Sequence, residues 1–267
     1  MSVQTLYTAA TGMESLETKL DVIANNLANI NTVGFKKDRA NFEDMFYRHE
    51  KLPGTQDSSS QLTPTGISIG LGTQVSSTQT NFGQGTFQQS NNPLDLAIEG
   101  QGLFQVLDPT GEIMYTRAGN FNINADGALV VGSATTGRLV EPQITIPPEA
   151  TGITISSDGQ VQYKVPGQQQ LTTAGQLELA QFVNYDGLLK VGDNLYQETD
   201  ASGPATTGVP GVEGRGVIKQ NFLESSNVEP VHELIDLITT QRAFELNSQV
   251  VQAGDQIMQL ISNLRRS

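Results

Sequence analysis

Hydrophobic positions near the start of the chain step by alternating threes and fours, at Leu6, Ala9, Met13, Leu16, Leu20, Ile23, Leu27 and Ile30. The same stepping recurs at the end, at Ala243, Leu246, Val250, Ala253, Ile257, Leu260 and Leu264. This alternation keeps one face of an α-helix apolar and creates a seam that needs a second helix against it. The first run predicts a helix from Ser2 to about Ile30, a rod of roughly 40 Å. It ends in Asn25, Asn26, Asn29, Asn31 and Gly34, residue types that tolerate left-handed caps. Amides in a seam also fix register, so a frayed polar end and a register device both remain open. For the last helix, Ser226 and Glu229 have capping-box spacing and Pro230 falls in the first turn. Glu229, Glu233 and Asp236 at its start, with Arg265 and Arg266 at its end, complement the helix dipole. Its early stripe of Val231, Leu234, Ile235 and Ile238 is out of phase with the later one by about one residue.

Between these ends the period changes from three-four to two. Four pairs of alternating runs flank turn residues across 93–200. Leu103–Leu107 and Ile113–Thr116 flank Asp108-Pro109-Thr110-Gly111, and Phe121–Ile123 and Leu129–Val131 flank Ala125-Asp126-Gly127. Ile153–Ile155 and Val161–Tyr163 flank Asp158-Gly159, and Leu177–Val183 and Leu188–Val191 flank Asp186-Gly187. Four hairpins predict an antiparallel sandwich or barrel-like domain. Residues 35–92 and 201–225 have Gly/Ser/Thr/Pro-rich connector composition, with one short alternating segment at Ile67, Ile69 and Leu71. The expected fold class is therefore α+β. Terminal heptad helices (1–34 plus 226–267) form a coiled-coil-like helical domain, residues 93–200 a central antiparallel β domain, and the rest extended connectors.

Charge sharpens this division. The chain carries a formal net charge of -13, which argues against nucleic acid as a partner. Residues 1–50 and 226–267 contribute -2 each and the middle holds the remaining -9. Near-neutral ends suit bundling, and an acidic middle suits a solvated outer surface. No cysteine is present, which excludes disulfides, thiol nucleophiles and Cys-ligated metals. The N-terminus has no secretory pattern, because Glu14, Glu17 and Asp21 interrupt it, and no stretch approaches the roughly 18 apolar residues of a membrane span.

Candidate chemistry is sparse. The two histidines, His49 and His232, are far apart and are assigned structural roles. Gly100-Gln101-Gly102 lacks the third glycine and the following helix of a dinucleotide fingerprint, and is assigned to a strand kink. Asn122-x-Asn124-x-Asp126-Gly127 begins like a calcium loop, but the twelfth position is Ser133 rather than Glu, so a β-turn is expected. No catalytic residues, metal site or cofactor site are assigned, and the chain is not expected to be an enzyme.

Longer motifs are informative. Ala24-Asn25-Asn26-Leu27-Ala28-Asn29 and Asn31-Thr32-Val33-Gly34-Phe35-Lys36 resemble the N-terminal signature of the bacterial flagellar rod and hook family. Ser226-Asn227-Val228, Glu233-Leu234-Ile235 and Gln241-Arg242-Ala243-Phe244-Glu245-Leu246-Asn247 resemble its C-terminal signature. The stretches Asp95–Val106 and Tyr115–Phe121 resemble strand motifs of its central domain. Phe244 stands where the family commonly has Tyr. The resemblance runs essentially end to end. It implies a structural subunit, exported unfolded through the flagellar type III apparatus without a cleaved signal. Such subunits polymerise into a helical tube that crosses the periplasm and transmits torque from motor to hook. Length and the Pro53-to-Gly72 stretch favour a distal rod subunit, with a proximal rod subunit or, less strongly, a hook-like filament protein as alternatives. Implied partners are further copies of itself, other rod proteins, the hook protein and the LP-ring bushing. The implied assembly residues are Leu6, Met13, Leu16, Leu20, Ile23, Asn25, Asn26, Leu27, Asn29, Ile30, Asn31, Gly34 and Phe35 at the front. At the back they are Asn227, Gln241, Arg242, Phe244, Asn247, Val250, Ile257, Leu260 and Leu264.

Overall fold

In the computed structural model, which describes residues 3–54, 64–132, 137–167 and 170–264, the chain opens on helix α1 (Val3–Ala28) and closes on helix α2 (Pro230–Leu264). Among the described residues, twenty short strands lie between them. Both predicted helices are present. The Glu229 carbonyl accepts from the Glu233 N–H at 3.0 Å, so α2 starts with Pro230 at its first position, where proline has no hydrogen bond to lose. The expected capping box is therefore absent. Ser226 Oγ instead accepts from the Val228 N–H at 3.3 Å.

The chain divides into two compact units. One comprises residues 1–27, 38–79 and 229–267, and the other residues 28–37 and 80–228. The first contains both helices and a long two-stranded excursion. Asp38–Asp44 pairs with Thr73–Thr80, and Tyr47–Lys51 pairs antiparallel with Ile67–Gly70. The alternating Ile67–Leu71 segment is thus a strand as far as Gly70. Every residue of Tyr47–Lys51 is exposed, and Phe46 beside it is 87% exposed.

The second unit is antiparallel β throughout, built on an open sheet. Strand Leu103–Leu107 is its axis. One edge pairs with Ile113–Thr116. The other divides between Gly137–Glu141, opposite Gln105–Leu107, and Leu179–Gln181, opposite Leu103 and Phe104. Both faces of the axis are covered, so its period-two pattern sorts side chains into two cores rather than core and solvent. Phe104 and Val106 enter the larger core with Leu129, Ile144, Val161 and Leu179. Phe104 meets Phe121 edge-on at 5.0 Å. Leu103 enters the smaller core with Tyr115, Ala180, Phe182 and Tyr196.

Three of the four predicted hairpins form at their predicted turns. The fourth does not. Leu179–Gln181 pairs with Thr206–Gly208, and Leu189–Gly192 pairs instead with Leu195–Gln197. Asn184 Oδ1 caps a 3-10 turn over Tyr185–Gly187, which absorbs the Asp186-Gly187 signal. The true hairpin turn is Asp193-Asn194, with φ of 50° and 62°, the two left-handed residues of a type I′ turn. The calcium-loop lookalike is a turn, with Asn124 Oδ1 accepting from Asp126 and Ala128 N–H at 3.0 and 2.8 Å. The sheet does not close into a barrel.

Candidate functional site

The first unit positions the helical residues. Leu6 lies opposite Gly254, Gly12 opposite Asn247, and Asn26 Nδ2 donates to Glu233 Oε2 at 3.3 Å. Numbers rise on α1 as they fall on α2, so the helices run antiparallel. Two glycines allow the approach: a methyl at Gly254 would fall 2.5 Å from Leu6 Cδ2, and one at Gly12 would fall 3.2 Å from Asn247 Nδ2. The inner face of α2 repeats every seven residues at Glu233, Leu237, Thr240, Phe244, Asn247, Val251 and Gly254, all buried or half-buried.

The heptad expected from sequence lies about one residue around α2 from this inner face, on its more exposed flank. Leu246 and Leu260 are 62% and 63% exposed, Val250 and Ala253 are also exposed, and Ala243 and Ile257 are half-buried. Val231, Leu234, Ile235 and Ile238, out of phase with that heptad by about one residue, are also exposed. Helix α2 therefore carries two heptads. The one that packs within the chain mixes Leu237, Phe244 and Val251 with polar or small residues at Glu233, Thr240, Asn247 and Gly254. The more apolar one, which dominates the sequence pattern, is outside. Gln241 and Arg242 are exposed, and Arg242 pairs with Glu245 at 2.9 Å. The side chain of Leu264 is outside the described set. On α1, Ile23 is buried, while Leu6, Met13, Leu16, Leu20 and Leu27 are half-buried; beyond its end, Ile30 is half-buried as well.

The asparagines do different things. Asn26 is fully buried in the first unit and reproduces strand pairing with Asp38, its Oδ1 accepting from the Asp38 N–H at 2.9 Å and its Nδ2 donating to the Asp38 carbonyl at 2.8 Å. It fixes register. Asn29 is half-buried and accepts from Thr32 Oγ1 at 3.0 Å, as a local cap. Asn25 and Asn31 are exposed. In the second unit, half-buried Asn227 accepts from the Lys37 N–H at 2.8 Å and donates to the carbonyls of Asn81 and Gly83 at 2.8 and 3.1 Å.

The second unit also contains a charge cluster that sequence reasoning did not single out. Strand Phe222–Glu224 pairs with Phe87–Gln89 and turns Glu224 inward. Lys36 Nζ donates to Glu224 Oε1 at 2.6 Å and Arg117 Nε to Oε2 at 2.5 Å, with side chains 1%, 6% and 1% exposed for Lys36, Arg117 and Glu224. The Gly85 N–H adds a third donor to the carboxylate at 2.9 Å. Arg117 also donates to the carbonyls of Gly102, Ile98 and Gly100. Burial works to raise the Glu224 carboxyl, but the Arg117 and Lys36 charges with their hydrogen bonds outweigh it and hold it below the ordinary value. Burial lowers the Lys36 ammonium, against the pull of Glu224.

Gly34 fits beside this cluster because it lacks a side chain. Its φ is 69°, its N–H donates to the Glu224 carbonyl at 2.7 Å, and a methyl there would lie 2.7 Å from the Arg117 carbonyl carbon. Gly34→Ala is expected to destabilise the second unit by about 2–5 kcal/mol, from left-handed strain plus overpacking. Urea denaturation followed by circular dichroism measures it, and an unchanged midpoint would refute the fit. Phe35 is half-buried, with Lys190 Nζ 5.3 Å from its ring centre. Among the described residues no His, Asp and Glu side chains cluster as a metal site, and no helix is long and apolar enough to cross a membrane.

Residues 6–36 match the family model described as flagella basal body rod protein. Residues 97–163 match the flagellar hook protein FlgE/F/G D1 domain, and residues 219–264 the flagellar basal body rod FlgEFG protein C-terminal. The flagellar basal-body rod protein FlgG of Caulobacter vibrioides is 48% identical over 98% of this chain and 100% of its own length. FlgG of Agrobacterium fabrum is 45% identical over 97% and 98%. The rod protein FlgF of Caulobacter vibrioides is similar at a lower level, 35% over 90% and 89%.

Proposed function

The chain belongs to the flagellar basal-body rod protein family, and from that premise we propose that it is a structural subunit of the distal rod. The full-length similarity to FlgG proteins carries this reading, being closer than that to FlgF. The alternative of a proximal rod subunit is correspondingly weaker. In this reading subunits join by contacts between unlike surfaces, which repeat without closing and generate an open helical tube. The tube crosses the periplasm and transmits torque from motor to hook. Other rod proteins, the hook protein and the LP-ring bushing are its neighbours, and the subunit reaches them through the flagellar type III apparatus. No catalytic step, metal or cofactor is assigned to it.

The terminal segments 1–34 and 226–267 are the proposed assembly domain. Its outer heptad on α2, from Leu246 to Leu260, is an apolar face at coiled-coil spacing, suited to the helices of neighbouring copies. The excursion of the first unit is the second proposed contact. A two-stranded ribbon is marginal alone, and this one exposes Phe46, Tyr47, Leu52 and Ile67. Deleting residues 53–72 is expected to leave the subunit folded and to change rod geometry or its junction with the hook. Electron microscopy of purified basal bodies tests this, and rods and hooks of normal form would refute it.

A further inference from the structure

Residues 28–37 form a strap, the one stretch of residues 1–79 that belongs to the second unit. Its two halves are held differently. The back half is locked by backbone bonds and buried charge. The Gly34 N–H donates to the Glu224 carbonyl at 2.7 Å, and the Lys37 N–H to Asn227 Oδ1 at 2.8 Å. Between them, buried Lys36 pairs with Glu224. The front half runs through two consecutive turns. The Thr32 N–H donates to the Asn29 carbonyl at 3.2 Å and the Phe35 N–H to the Thr32 carbonyl at 3.3 Å, both at the long end of hydrogen-bond lengths.

Facing this front half is the turn of the hairpin formed by Leu189–Gly192 and Leu195–Gln197. Asn194 Nδ2 reaches from the turn and donates to the Val33 carbonyl at 2.5 Å. The turn itself is well fixed. The Thr116 hydroxyl donates to the Asn194 carbonyl at 2.9 Å. Arg138 pairs with Asp193 through Nη2 and with Asp108 through Nε, each at 3.1 Å. Two hollows of about 200 and 420 Å³ meet at this contact, and Asn29, Thr32 and Asn194 line both. The front of the strap thus borders empty space, and Asn194 ties it to a rigid turn by side chain alone. Undoing the back half would strand buried charges, whereas lifting the front half at Val33 breaks one side-chain hydrogen bond.

We propose that Asn194 is a latch, and that residues 29–33 are a flap that lifts from the hairpin while residues 34–37 stay locked. Lifting adds residues 29–33 to the free chain that follows α1, about 17 Å at full extension. The latch therefore sets how much slack follows α1 without disturbing the Lys36–Glu224 pair. Hydrogen–deuterium exchange of the full-length chain at pH 7, read residue by residue, tests this. In the wild type, protection at the Thr32 and Phe35 amides is expected to be at least roughly tenfold lower than at Gly34 and Lys37. Asn194→Gly keeps a residue suited to the left-handed turn, where φ is 62°, and removes the amide. It is expected to lower protection at Thr32 and Phe35 by a further factor of roughly three to ten, leaving Gly34, Lys37 and strand Leu103–Leu107 as in the wild type. Asn194→Asp also tolerates the turn, but it sets a carboxylate against the Val33 carbonyl and should lower protection at least as far. Equal wild-type protection across Thr32, Gly34, Phe35 and Lys37 overturns the flap. Unchanged protection at Thr32 and Phe35 in either variant overturns the latch. A loss that spreads equally to Leu103–Leu107 makes the turn a general support of the unit and also overturns it. The measurement needs no polymer, so its failure leaves the rod reading untouched.

Discussion

Glu224→Leu is expected to destabilise the second unit by about 3–5 kcal/mol, because it leaves the Lys36 and Arg117 charges buried without a counter-ion. The cause is the stranded charges rather than the lost attraction. The triple change Lys36→Met, Arg117→Met and Glu224→Leu should therefore recover most of the loss. Urea midpoints of the wild type, the single variant and the triple variant measure both halves. A single variant as stable as the wild type would show that water or a relaxed backbone satisfies the cations. The pH dependence has a definite sign. The Glu224 carboxyl lies below its ordinary value of 4.5 in the folded state, so its stabilisation is complete above that value. It is lost as pH falls from 4.5 through the lower folded value. Glu224→Leu should be flatter than wild type across that acidic window, and an identical acid profile would count against the cluster as the sensor.

Leu246→Asp is expected to leave the subunit as stable as wild type and to suppress its polymerisation. Leu246 is on the outer heptad and mostly exposed, and such surface changes usually move stability by about 0.5 kcal/mol or less. If a neighbouring helix covers it in the rod, the change removes about 1.5–3 kcal/mol of burial and adds a desolvated charge at every repeat. At about 1.4 kcal/mol per tenfold, the concentration needed for assembly should rise at least ten- to a hundredfold. Sedimentation gives that concentration and microscopy the form of the particles. Normal rods at the wild-type concentration would remove the outer heptad from the assembly surface. The inner face supplies the control, since Val251→Asp lies among the half-buried residues and should unfold the helix pair first. Leu20 and Ile257, both half-buried, discriminate less well because a change there touches fold and assembly together.

The sequence made the helices and the first three hairpins legible because each has an uninterrupted local pattern. It misassigned the Asp186-Gly187 turn because a side-chain cap from Asn184 turns the same dipeptide into a 3-10 turn. The competing signal at Asp193-Asn194 lacks the glycine usually expected there. The two heptads of α2 show a different limit. Apolar periodicity identifies the face that most needs cover but says nothing of whether that cover comes from the same chain. The helix contact used instead depends on small size, at Gly12 and Gly254, and on amides, at Asn26 and Asn247, none of which registers as hydrophobic. The Lys36–Arg117–Glu224 cluster was illegible for a related reason. Each member looks like an ordinary charge until partners from three distant segments are brought together.

Lys36 and Glu224 are 188 positions apart in the chain, and their ion pair has consequences for folding order. Contacts of such separation close large loops, and the entropy of closure must be met before they return anything. A chain that emerges N-terminus first cannot complete this junction until all but its last residues are out. Lys36, Gly34 and the Arg117 loop must wait for the strand that carries Glu224. Under the export proposed above, the second unit cannot complete this junction before the strand that carries Glu224 has emerged.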